Sequence, residues 1–133
     1  MHARFFGRAA VLLAALGAIA CGSIVEPSNN VTETFTNIIQ PGGAYAAHPF
    51  SVSKSGEITV TVTNMNPAYN GFLSVAWLAA NGSVCAGLIQ QNSFAVVGRA
   101  AISSPIGKGS YCVAVFDPGF IVPEAYTVTV SHP

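Results

Sequence analysis

Hydrophobic and polar residues alternate one by one along much of this chain. In Glu57–Thr63 (EITVTVT), Ile58, Val60 and Val62 take one parity, and Thr59, Thr61 and Thr63 take the other. Successive side chains of a strand point to opposite faces, so the pattern predicts a half-buried strand. β-Branched residues on both faces suit the pleated backbone. The closing segment repeats the pattern, with Tyr126, Val128 and Val130 inward and Thr127, Thr129 and Ser131 outward. Phe72–Leu78 (FLSVAWL) and Tyr111–Phe116 (YCVAVF) are apolar at nearly every position and read as central strands covered on both sides. Trp77, in mid-strand, is assigned to the core. Thr32–Ile39 and Ala44–Val52 are predicted to form a first pair joined at Gln40-Pro41-Gly42-Gly43, and Ala95–Ile102 a further strand.

Turn signals recur between these runs: Ser55-Gly56, Asn66-Pro67, Asn81-Gly82, Gly107-Lys108-Gly109 and Asp117-Pro118-Gly119. About seven or eight short strands separated by such turns predict an all-β fold, a jelly-roll-like antiparallel β-sandwich over residues 32–133. A meander barrel is the structural alternative.

The N-terminus follows a different rule. Arg4 and Arg8 precede Ala9–Ala20 (AAVLLAALGAIA), an uncharged run of 12 residues. A membrane-spanning helix needs roughly 20 apolar residues. A basic start, a short apolar run and small residues before Cys21 give the order of a secretory signal, so residues 1–20 are predicted to be removed. Ala18-Ile19-Ala20 fits ordinary cleavage, and with Cys21 it resembles the lipobox of bacterial lipoproteins, whose cysteine carries the lipid. That resemblance implies a lipid-anchored tether over residues 21–31, and Gly22 after the anchor implies the outer membrane. Without a lipid the protein is expected to be periplasmic or secreted.

The chain holds three cysteines, Cys21, Cys85 and Cys112. Lipid on Cys21 leaves an even pair, and export would place that pair in an oxidising compartment. Cys85 and Cys112 are therefore expected to bond, closing a loop of 27 residues. On a chain-entropy estimate such a bond contributes about 3.5 kcal/mol.

Charge is sparse, with five basic and five acidic residues among 133. After cleavage Lys54, Arg99 and Lys108 face Glu26, Glu33, Glu57, Asp117 and Glu124, a net −2. No basic stripe for nucleic acid exists, and no polybasic membrane patch.

From Glu33 to Pro133 the chain resembles the bacterial pre-peptidase C-terminal domain and its lipoprotein-borne relatives. The similarity is carried by ETFTNIIQPGG, by AHPFSVSKSGEITVTVT around His48 and Phe50, by KGSYCVAVFDPG and by AYTVTVSHP. It implies a jelly-roll-like sandwich serving as an accessory module, some relatives of which bind extracellular polymers or calcium.

Candidate chemistry is thin. Ser51-Val52-Ser53-Lys54 matches S-x-x-K, but a catalytic Ser–Lys pair needs one helix face, and here the residues end a strand. His48 is read as a strand-edge residue with a backbone hydrogen bond and His132 as a near-terminal surface residue; neither is expected to ligate zinc. Calcium requires several oxygens, and Asp117 and Glu124 flank one loop; the preferred reading of Asp117-Pro118-Gly119 is an ordinary turn. Tyr69 and Phe120 fall in predicted loops, with Asn66 and Asn70 nearby. They could stack on a sugar ring and hydrogen-bond to it, or fold back and plug the end of the sandwich. Asn30-Val31-Thr32 and Asn81-Gly82-Ser83 match the glycosylation pattern and are read as accidental. The resulting expectation is a non-enzymatic envelope domain without a cofactor. The alternative is a secreted accessory module for polysaccharide or protein, assisted by calcium.

Overall fold

A computed structural model describes residues 29–42, 45–68 and 72–133. The expected signal segment, Cys21, most of the tether, Tyr69 and Asn70 lie outside the described residues. Eight antiparallel strands follow in order: β1 (Val31–Ile39), β2 (Tyr45–Val52), β3 (Gly56–Asn66), β4 (Phe72–Asn81), β5 (Val84–Val96), β6 (Ala100–Ile106), β7 (Gly109–Phe116) and β8 (Glu124–His132).

One sheet has the order β1-β8-β3-β6 and the other β2-β7-β4-β5. First pairs with last, second with seventh, third with sixth and fourth with fifth. This is a single long hairpin rolled over itself, the jelly roll. Alternation of strand direction puts both ends of the described chain, Val31 and Pro133, at one end of the sandwich. We call that end basal. The β2–β3, β4–β5 and β6–β7 connections are also basal, and the other four are apical.

The alternating segments behave as their pattern dictates. β8 is buried at every second residue, with Tyr126 at 2% exposure and Val128 and Val130 at 0%. β3 buries Ile58, Val60 and Val62, then slips register between Val62 and Asn64 opposite β8. That bulge adds one residue and reverses the parity, so that Met65 is buried rather than exposed. Leu73–Trp77 in β4 and Cys112–Val115 in β7 are buried throughout, as their continuous apolar character requires. Side chains from both inner faces merge into one core around Trp77, Val113, Val128 and Phe50.

Two strand expectations are corrected. β1 and β2 are not a hairpin pair: β1 pairs with β8 and β2 with β7, and the chain changes sheets in the connection that holds Gln40-Pro41-Gly42. Their turn chemistry is real, with Gly42 at φ 99, but a tight turn fixes only a reversal, not the partner. Ala95–Ile102 is not one strand. It spans the end of β5, a turn at Val97–Arg99 and the start of β6. β5 itself was not read from the sequence, because an edge strand with register shifts against β4 loses its period of two.

The β4–β5 hairpin turns on Gly82-Ser83, with Gly82 at φ 61 supplying the left-handed conformation that a two-residue turn requires. Its outer strand then curls. Cys112 sits opposite Leu78 on one side of β4, and Cys85 opposite Ala80 on the other. Strands flanking a common neighbour in a flat sheet lie about 9.5 Å apart. The Cys85 and Cys112 Cα atoms are 5.8 Å apart, and the two residues form a disulfide. The register shifts between Trp77 and Ala80, with Gly87 at φ 79, supply the bend that carries β5 over β4.

The disulfide closes a loop of sequence separation 27 and pins the outer strand of the most irregular hairpin of the fold. Cys112→Ala is expected to cost about 3 kcal/mol, read as a lower denaturant midpoint of the oxidised protein. An unchanged midpoint would show that the curled hairpin holds without its staple.

Candidate functional site

The strict alternation of β8 carries polar residues inward together with apolar ones. Glu124, Tyr126 and His132 share the inner parity with Val128 and Val130, and all five are buried. Each polar group therefore needs a partner inside the sandwich.

His132 is buried at 2% exposure, which corrects its reading as a surface residue. Its Nε2 lies 2.9 Å from Glu33 Oε1 of β1 and its Nδ1 lies 3.2 Å from the Pro133 carbonyl oxygen. The ring packs on Phe50 of β2 at a centroid distance of 5.2 Å. Extending the inward series Tyr126, Val128, Val130 by one step was the signal that placed it.

His48 is corrected in its partner. Rather than meeting the backbone, its Nε2 is 2.7 Å from the Tyr126 hydroxyl, and its ring stacks on Phe35 at 4.9 Å. Two rungs thus line the β1/β2 flank of the sandwich, Phe35–His48–Tyr126 and Glu33–His132–Phe50. Burial lowers the pKa of His48 below the ordinary histidine value of 6.5 and raises that of Tyr126 to about 12, so both stay neutral near pH 7.

Glu124 has no such partner. It is fully buried, and neither carboxylate oxygen makes a hydrogen bond. Burial raises its pKa above 4.5, because desolvation disfavours the charged form. Asp117, the other calcium candidate, is occupied by the backbone. Its Oδ1 accepts the amides of Gly119 at 2.8 Å and Phe120 at 2.5 Å, and its Oδ2 accepts that of Gly42 at 3.0 Å. The carboxylate therefore shapes its own turn and ties it to the β1–β2 connection. Among the described residues no group of three or more His, Cys, Asp or Glu is gathered as a metal site.

Phe120 is 6% exposed and belongs to the core, closing the apical end. Asn66 ends β3 at the same end and is exposed. Ser51 and Lys54 are both exposed, one on β2 and one in the turn that follows, and not on a shared helix face. Thr36, Asn64 and Thr127 on the outer face of the first sheet, with Asn37 and Ile38 of the edge strand β1, line a shallow open groove of about 340 Å³. No local sequence pattern marks this groove, because β1, β3 and β8 contribute to it in a register that only the fold supplies.

These features define a sparsely charged jelly-roll domain with a polar inner flank. No protein-family model and no curated protein matches the chain.

The two buried groups give opposite pH dependences. The folded pKa of His48 lies below its unfolded value, so acid favours the unfolded chain. Stability is full above about pH 6.5 and falls as pH drops toward the folded pKa. His48→Phe is expected to flatten that part of a urea-midpoint profile; a slope identical to that of the parent would assign the fall to another group. The folded pKa of Glu124 lies above its unfolded value, so its ionisation costs stability at neutral pH, and the cost disappears as pH falls toward 4.5. Glu124→Met should raise stability at pH 7 by about 1 kcal/mol or more, with a smaller gain in acid. A loss at pH 7 would mean that the carboxylate is compensated.

Proposed function

We propose that this chain is a non-enzymatic domain of the bacterial envelope, exported and tethered to the outer membrane by lipid on Cys21, with a structural or binding role. The observation that carries the reading is the Cys85–Cys112 disulfide. A bonded pair suits an oxidising compartment and leaves Cys21 as the odd cysteine of the chain. Cys21 directly follows a basic start, a 12-residue apolar run and small residues. The jelly-roll order agrees with the fold that the resemblance to the pre-peptidase C-terminal domain implies, although one sandwich serves many functions. The non-enzymatic reading draws on the histidines. The hydrogen-bonding contacts of His48 and His132 are a tyrosine, a glutamate and a backbone carbonyl; His48–Tyr126 joins the two sheets, and His132–Glu33 ties β8 to β1 within one of them.

A second reading, an accessory module for polysaccharide or protein, is favoured by the groove at Thr36, Asn37, Asn64 and Thr127. Hydroxyl and amide groups without charge suit a neutral polyhydroxylated ligand.

Intact-mass spectrometry of the protein from its native host, with and without reductant, tests the first reading. The expected result is a chain starting at Cys21 that carries a lipid-sized increment and gains two hydrogens on reduction. An unmodified cysteine at that position would retire the tether and leave a freely exported domain.

A further inference from the structure

The basal end of the sandwich differs in composition from the apical end. Of the three basic residues downstream of Cys21, two are basal: Lys54 in the β2–β3 connection and Lys108 in the β6–β7 connection. The pairings Val52–Gly109 and Gly56–Ile106 make these two connections neighbours. Both lysines are exposed. Two acids share this half of the sandwich: exposed Glu57, whose Oε1 accepts the Ser103 hydroxyl at 2.8 Å, and Glu33, which pairs with His132 at 2.9 Å.

Beside the lysines lies the curled start of β5. Ala79 pairs with Tyr111, which places the Gly82-Ser83 turn next to the Lys108 connection. Past that turn Val84 is 61% exposed and Leu88 60%. The whole stretch from Ile58 to Gly98 carries no charged side chain. An exposed apolar pair with two lysines on neighbouring connections suits a surface that meets lipid headgroups and the acyl boundary together.

The chain also enters at this end. Val31 opens β1 at the base, 53% exposed, and nine residues, Gly22 to Asn30, separate it from Cys21. Nine residues reach at most about 30 Å, so an anchor at Cys21 keeps the base within about that distance of the bilayer.

We propose that the basal end, with Lys54 and Lys108 beside Val84 and Leu88, is the face this domain lays on an anionic lipid bilayer. The proposal deepens the reading of Cys21 as a lipid anchor and rests on it. The lysines meet lipid phosphates, and Val84 and Leu88 enter the interface. The apical end points away from the membrane.

Amide hydrogen exchange of the full host-derived chain tests the face, and its intact mass tests the anchor separately. The probe is vesicles of phosphatidylethanolamine with phosphatidylglycerol. Residues 53–55, 81–89 and 107–109 are expected to exchange several-fold more slowly on vesicles, with residues 118–122 unchanged. Lys54→Glu with Lys108→Glu should abolish that protection, since each basic group near an anionic surface contributes about fivefold in partitioning. Both lysines are exposed and outside the core, and an intact disulfide and an unchanged denaturant midpoint would show that the variant folds. Equal protection at both ends, or none, on a chain whose mass carries the lipid overturns the face and leaves the anchor standing. If the mass shows no lipid, basal protection at higher vesicle concentration keeps the face and drops the anchor, and its absence there overturns the face as well. Basal protection that rises with protein concentration without vesicles makes this end a contact between copies of the chain and overturns the lipid proposal.

Discussion

The register of β8 is the constraint on which the rest of the structure depends. β8 lies between β1 and β3, and its inner face is buried along its whole length. A slip of one residue would expose Val128 and Val130 and bury Thr127 and Thr129, so the register is fixed by burial. Once fixed, it forces Glu124, Tyr126 and His132 inward whatever their polarity. Tyr126 and His132 meet this through His48 and Glu33, which lie on the flanking strands of opposite sheets. The polar flank is thus a consequence of the apolar register, and it cross-links the sheets at the open β1/β2 edge. Glu124 has the same inner position and no partner there.

Legibility in the sequence tracks how regularly each strand is buried. β3, β4, β7 and β8 were readable because one or both faces are dry, and period-two or continuous apolar runs record this directly. β5 was not, because an edge strand answers to bulges and solvent more than to a core. Its exposed Val84, Leu88 and Phe94 carry no inward or outward signal. The pairing of β1 with β8 could not be read from a turn at Gln40–Gly42, since pairing in a rolled hairpin joins segments about 100 residues apart. His132 was misplaced for the opposite reason. The alternation points it inward, while proximity to the end of the chain suggests a surface position. Of the candidate site residues, Phe120 was legible as an aromatic after a turn, but its burial follows from the Asp117 clamp, which no local pattern specifies. The groove between β1, β3 and β8 needed the sheet order itself.

Scarcity of charge gives the disulfide more weight. With so few ion pairs among the described residues, tertiary order rests on burial, on strand pairing and on the one covalent tie. That tie joins the strand least covered by the core, β5, to β7, an inner strand of the same sheet. Other edges carry devices that blunt pairing with foreign strands, Pro49 on β2 and Pro105 on β6. β5 carries neither proline nor charge and is bent instead, and the bond to Cys112 holds the bend. Covalent curling of an apolar edge does what a proline or an inward lysine does elsewhere, and it leaves Val84 and Leu88 exposed at the base rather than along a flat strand.

A jelly roll with an even number of strands brings the start of its first strand and the end of its last to one end, and that end is chemically distinct here. The base gathers Lys54, Lys108 and the curled hairpin, while the apex gathers the Asp117 clamp, Phe120 as a plug and the unpartnered Glu124. Under the proposed anchor at Cys21, the four apical connections lie at the end of the sandwich opposite the entry of the chain at Val31. The groove at Thr36, Asn64 and Thr127 lies in the apical half of the first sheet, by its register against Ala125 and Thr127. The proposed membrane face and the groove that could receive an uncharged polymer therefore occupy opposite halves of the sandwich. Tethering and binding would not compete for surface, so the two readings of function are compatible in one molecule, and the same alternation of strand direction that builds the core separates them.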